Sequence, residues 1–125
     1  MIFTPEESRE IAVGMLGWHW KWETPPCGWW TPDGVYYPAK LPDFSDLEWT
    51  GAMLEKVFVR PEIVSLDYDS TDPYTLEWTV RRKKPEAHGG TPVSQFWITI
   101  AQNVNLNRAL YDAWKFLKEA SDVQP

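Results

Sequence analysis

Trp18-His19-Trp20-Lys21-Trp22-Glu23-Thr24-Pro25-Pro26-Cys27-Gly28-Trp29-Trp30-Thr31-Pro32-Asp33-Gly34-Val35-Tyr36-Tyr37 is the stretch that decides the fold. It carries five of the chain's nine tryptophans and two of its five tyrosines. Its prolines and glycines are too many for a helix, so extended chain and turns are expected. Trp18, Trp20 and Trp22 alternate with His19 and Lys21. That period of two predicts a strand with three indoles on one face and two polar groups on the other. Thr24-Pro25-Pro26 should end the strand, because proline lacks the ladder N–H. Trp29-Trp30, Thr31-Pro32-Asp33-Gly34 and Val35-Tyr36-Tyr37 read as a short hairpin or Ω-like loop around a Pro-Asp-Gly turn.

Two roles are open to these rings. They can be the private core that anchors an irregular segment. Alternatively, some stay exposed and stack on a ligand or partner, as Trp and Tyr do at binding hot spots. Adjacent residues of an extended chain point to opposite faces, so one thin layer cannot bury both Trp29 and Trp30, or both Tyr36 and Tyr37. Trp20, Trp29, Trp30, Tyr36 and Tyr37 are therefore candidate binding residues.

Working outward, Thr4-Pro5-Glu6-Glu7 is a capping box with proline at the first helical position. Ile11, Ala12, Met15 and Leu16 form the buried stripe of the first helix, which Gly17 ends. Ser45-Asp46-Leu47-Glu48 reads as a second capping box, opening a helix to about Phe58 with Leu47, Leu54 and Phe58 on one face and Met53 and Val57 near it. Gly51 lies inside that helix and points to close packing. Val64, Leu66 and Tyr68, then Tyr74, Leu76, Trp78 and Val80, then Phe96, Ile98 and Ile100 alternate with polar residues in three strands of an antiparallel meander. Leu76, Trp78 and Val80 should be buried with Phe96, Ile98 and Trp114. Asn105 caps a last helix whose stripe is Leu106, Ala109, Leu110, Ala113, Trp114 and Leu117. The expected fold is α+β: a three- or four-stranded, largely antiparallel sheet packed by about three helices, an αβα-type sandwich. At 125 residues the chain is read as one domain, 1–125.

The net charge is −6, which disfavours nucleic acid as a partner. Arg81-Arg82-Lys83-Lys84 nevertheless gathers four of the twelve basic residues. It is either a solvated strand end or a docking point, through Arg81 and Arg82, for an acidic or phosphorylated partner. Trp97, on the polar strand face, is the next binding candidate. No basic region followed by an apolar run opens the chain, so no signal peptide is expected. No apolar run approaches the roughly 20 residues of a membrane span. The single cysteine, Cys27, fits a reducing, cytoplasmic setting.

Catalytic and metal chemistry find little support. His19, Cys27 and His88 are too scattered for a zinc site. Asp67 to Asp72 fails the calcium-loop pattern, with Asp72 where glycine is needed and Trp78 where the bidentate glutamate belongs. A Cys27/His19 pair has nothing beyond coincidence behind it. A carboxylate pair could be drawn from eighteen acids in any chain of this composition. Gly89-Gly90 lacks a phosphate loop's context. No catalytic residue, metal or cofactor is expected.

Gly17-Trp18 after the first helix, Leu41-Pro42-Asp43-Phe44-Ser45 before the second, and Ala109-Leu110-Tyr111-Asp112-Ala113-Trp114 in the last resemble the phage ABA sandwich family. The resemblance, which covers most of the chain, implies a small soluble accessory protein of a tailed phage, acting in the host cytoplasm with no assigned chemistry. Helices on both sheet faces would require two apolar strand faces. Here Thr75, Glu77, Thr79, Gln95 and Thr99 make one face polar, so a helix covers it incompletely or it is solvated. The expected function is to bind a host or phage protein through the aromatic segment, with a host-defence antagonist as one version. The alternative is a small-molecule binder caging a nucleotide- or sugar-like ligand between Trp and Tyr rings. A hydrolytic enzyme comes third. Oligomeric state is left open.

Overall fold

Residues 2–22, 27–38, 40–59, 64–72, 75–84, 90 and 96–123 are described in the computed structural model. The features expected at Thr24-Pro25-Pro26, Tyr74, His88, Gly89 and Gln95 lie outside them. Helix α1 (Pro5–Glu10) opens with the capping box read from sequence. The Glu7 N–H donates to Thr4 Oγ1 at 3.1 Å and the Thr4 N–H donates to Glu7 Oε1 at 3.0 Å. The helix continues as one π turn, Ile11–Met15. It closes where the Leu16 N–H donates to the Ile11 carbonyl and the Trp18 N–H to the Ala12 carbonyl, both at 2.8 Å. Gly17, at φ +76°, turns the chain out of the helix. Ile11, Ala12, Met15 and Leu16 are buried, as their spacing predicts.

The chain is α+β, and its described residues form two three-stranded antiparallel sheets and three α-helices. The first sheet is the aromatic segment itself: β1 (His19–Lys21), β2 (Gly28–Trp30) and β3 (Tyr36–Tyr37). The second holds β4 (Val64–Asp72), β5 (Thr75–Lys83) and β6 (Trp97–Asn103). Helix α3 (Leu106–Val123) packs on β5 and β6 and also on α2 (Thr50–Val57).

On the α3 side of the second sheet, Leu66, Val80 and Ala101 stand abreast. Burial fades toward the β4–β5 turn. Val80 is fully buried, Trp78 is half-buried against Tyr68, and Leu76 is 52% exposed. The expectation that Leu76, Trp78 and Val80 share one buried face therefore holds only at the Val80 end, because the core reaches only that far along the hairpin. The opposite face is polar and satisfies itself. Arg81 Nη1 lies 2.6 Å from Asp67 Oδ2, and Gln102 donates to the Thr79 hydroxyl at 3.4 Å. Thr79 is buried between these longer cross-strand neighbours.

Three local expectations for the second helix need correction: its cap, the place of Leu47 and the packing at Gly51. The Ser45 hydroxyl donates to Asp43 Oδ1 at 2.6 Å and so caps nothing. Helix α2 is entered instead through a 3₁₀ turn, Leu47–Trp49, whose tighter winding turns Leu47 out to 79% exposure. Met53 and Val57 carry the buried face. Gly51 is exposed, with no atom within 4 Å of a built Cβ, so close packing is not its reason.

Helix α3 is capped by Asn105, whose Oδ1 accepts from the Arg108 N–H at 3.0 Å. Ala109, Leu110, Tyr111 and Ala113 are buried. So is Asn107, a polar residue on the core side at 1% exposure. Its amide donates to the carbonyls of Phe44 and Asp46 at 2.8 and 2.7 Å, and its Oδ1 accepts from the Thr50 hydroxyl at 2.7 Å. One side chain thereby joins α3 to the entrance of α2.

On another side of α3, Arg108 reaches Glu7 at 2.7 Å and Asp112 at 3.2 Å, and the Tyr111 hydroxyl donates to Glu10 at 2.6 Å. The Arg108 guanidinium and the Thr4 N–H hold Glu7 below its ordinary carboxylate range. Burial pushes Asp112 up despite the same guanidinium. Burial and the bond to Glu10 keep Tyr111 protonated.

Asn107→Ala should cost about 3 kcal/mol, because two carbonyls and a hydroxyl lose their partner where water does not replace it. Urea denaturation measures it, and a cost under about 1 kcal/mol contradicts the tie. Gly51→Ala should instead stabilise by about 0.5–1 kcal/mol, since an open helical site gains only the alanine propensity. A lowered melting temperature would show that the site is not open.

Candidate functional site

The aromatic meander has two unlike faces, set by its register. Trp20 stands opposite Trp29, and Trp29 opposite Tyr37. These rings, with Trp18, face inward. Trp18 stacks on Tyr37 with ring centres 4.8 Å apart and planes 16° from parallel. It also meets Phe44 at 5.4 Å and Trp49 at 5.6 Å edge to face. Trp29 is buried and touches Trp20 at 5.3 Å. Trp22, the outermost of the three alternating indoles, is 74% exposed.

His19 stands opposite Trp30, and Trp30 opposite Tyr36, on the outer face. The rings of Trp30 and Tyr36 lie 5.2 Å apart, and Lys21 Nζ sits 4.9 Å from the Trp30 ring centre. Both rings are part-exposed, while His19 and Lys21 are exposed. Gly28 makes this pairing possible. A Cβ there would fall on the Tyr36 ring and lie 2.5 Å from the Tyr37 carbonyl oxygen. The ring thus lies over the glycine, and its hydroxyl donates to the Cys27 carbonyl at 3.2 Å. At the turn, the Thr31 hydroxyl accepts from the Val35 N–H at 3.0 Å and Gly34 takes φ +86°.

Two grooves open beside the meander. One, of about 340 Å³, lies between the 31–35 turn and α2; Trp18, Tyr37 and Trp49 line it, with Asp33, Glu55 and Lys56. The other, of about 480 Å³, lies between α1 and residues 40–43; Phe3, Arg9, Trp29, Lys40 and Pro42 are among its walls. Asp43 at its edge accepts from the Ser45 hydroxyl and N–H, which hold its carboxyl below the usual range.

The other expected binding residues are elsewhere. Arg81, Arg82 and Trp97 belong to the second sheet and do not join the meander. Trp97 stands opposite Lys83, on the face where Arg81 pairs with Asp67, while Arg82 stands opposite Ile98 on the other face. A Cys27/His19 pair does not form. His19 is opposite Trp30, and the Cys27 thiol donates to the Trp22 carbonyl at 3.2 Å, three strand positions or about 10 Å away. Among the described residues no three His, Cys, Asp or Glu side chains gather as a metal requires, and no helix is long and apolar enough to cross a membrane.

Sequence reasoning missed Arg9 and Lys40, which stand far apart in the chain and carry no shared motif. Tyr68 stands on the expected apolar strand face, opposite Trp78 at a ring distance of 4.6 Å, but is exposed there. Compared with protein-family models, curated proteins and solved structures, the chain matches none.

Gly28→Ala should destabilise the protein by about 2–3 kcal/mol, because backbone as well as a ring must shift to admit the methyl group. A thermal melt reads this directly. Wild-type stability in this variant would mean that Tyr36 does not cover the glycine.

Proposed function

We propose that the protein acts by binding a protein partner through the outer face of the β1–β3 meander, as a small phage-type accessory protein in the host cytoplasm. The observation that carries this reading is the Trp30–Tyr36 pair. Its two rings lie 5.2 Å apart on a strand face whose opposite side supplies the core. Large rings held in place before contact lose little freedom on binding, and such rings dominate hot spots. The Tyr36 bond to Cys27 and its fit over Gly28 supply that rigidity. Lys21 and His19 beside the pair favour a partner that presents acidic groups around an apolar side chain. A host or phage protein of that character, including a component of host defence, fits this reading.

Affinity capture from host lysate, identified by mass spectrometry and followed by calorimetric titration of the purified partner, tests it. Trp30→Ala should weaken the complex by about 2 kcal/mol, roughly thirtyfold, the scale of a hot spot. Lys21→Glu should weaken it further against an acidic partner. Both variants should keep the wild-type melting temperature within a few degrees, on the order of 1 kcal/mol. Unchanged affinity in both variants places recognition elsewhere on the molecule.

A further inference from the structure

We infer that the groove between α1 and residues 40–43 is a second binding site, for a small aromatic anion: a planar ring carrying a phosphate or carboxylate. This site is independent of the outer face, since Trp29 and Trp30 point to opposite sides of β2. The groove measures about 480 Å³, within the size range of small-molecule pockets, about 300–1,000 Å³. Its apolar walls include Phe3, Trp29, Leu41 and Pro42, and the two rings among them are otherwise buried in the core. Such surfaces bind a flat apolar body by ring contact.

Charge supplies the other half of the argument. Arg9 and Lys40 both line the groove and both are exposed. Neither makes an ion pair among the described residues; the guanidinium of Arg9 rests 5.9 Å from the Trp29 ring centre. One carboxylate, Asp43, also lines the groove, and its Oδ1 is taken up by the hydroxyl and N–H of Ser45 and makes no ion pair with either cation among the described residues. In a chain of net charge −6, two cations that make no ion pair among the described residues flank an aromatic wall and outnumber the groove's one carboxylate, which favours an anion over a cation or a neutral sugar. Arg9 can leave its ring contact to form a paired hydrogen bond with a phosphate or carboxylate, while the ligand ring takes its place against Trp29.

Titration calorimetry of the whole chain with adenosine 5′-monophosphate and, separately, indole-3-acetate tests the site, with the Trp29 indole N–H resonance as a second readout. At least one of these anions should bind and shift that resonance, and the stronger of the two assigns phosphate or carboxylate. Adenosine and inorganic phosphate alone should bind at least about tenfold more weakly than the parent that joins ring and charge. The Arg9→Gln/Lys40→Gln double variant should lose about tenfold or more in affinity with no change in melting temperature, as both side chains are exposed. Trp30→Ala should leave this binding intact, so failure here and failure of the protein-binding reading are told apart. No heat and no shift with either anion overturns the site. Binding that ignores the double variant does so too.

Discussion

Trp18 is the contact on which the arrangement depends. It is the first residue after the Gly17 turn, it is 4% exposed, and rings from three other segments close on it. Tyr37 comes from β3, Phe44 from the connecting segment and Trp49 from the entrance of α2. The end of the first helix, the meander and the second helix are thereby gathered at one indole. Burial of a ring of this size contributes several kcal/mol, more than any hydrogen bond near it. Asn107 ties two of the same segments from the other side, through the backbone at Phe44 and Asp46. An apolar contact sets where these segments meet, and a polar one sets their angle to α3.

Once Trp18 is fixed inward, strand alternation fixes everything after it. Trp20, Trp29 and Tyr37 follow it inward through the paired register, and His19, Lys21, Trp30 and Tyr36 are left outside. The inner rings do double duty, because their free edges floor the two grooves. Core-facing and outer positions thus alternate along each of the same short strands. Trp29 and Trp30 are chain neighbours, yet one is buried and the other is part-exposed on the outer face.

What could be read beforehand was chain-local. The Thr4 capping box, the Asn105 cap, the Gly17 stop and the alternation of Trp18, Trp20 and Trp22 each depend on a few consecutive residues, and the structure has them. What was lost depends on partners distant in sequence. Nothing in the sequence around Asn107 marks it as a tie, because its partners Phe44, Asp46 and Thr50 are more than fifty residues away. Ser45 had the spacing of a cap, yet Asp43, two residues back, took its hydroxyl. Leu76 had the right period for a core strand, but periodicity says which face a residue is on and nothing about how far a helix covers that face. The aromatic segment was readable as strand and turn. That its pieces pair into a three-stranded sheet depends on a glycine opposite a tyrosine ring, a fit visible only once the strands are side by side.

Hydrogen bonds do little to lock the aromatic cluster. The indole N–H groups of Trp20, Trp30 and Trp49 are buried and have no acceptor among the described residues. Each such donor costs on the order of 1–3 kcal/mol, so ring packing must exceed that cost at every one. Ring contacts are weakly directional, and a cluster held by them alone could settle in several arrangements. The meander avoids this through backbone features at its margins: the close seat of the Tyr36 ring on Gly28, the positive φ of Gly34, and the Thr31 and Tyr36 hydroxyls bonded to main chain. The rings supply the energy and these few backbone contacts supply the uniqueness. Orientation of the Trp30–Tyr36 pair, and with it the outer surface, is therefore set by the bond of Tyr36 to the Cys27 carbonyl, its seat on Gly28 and the Thr31–Gly34 turn beside it.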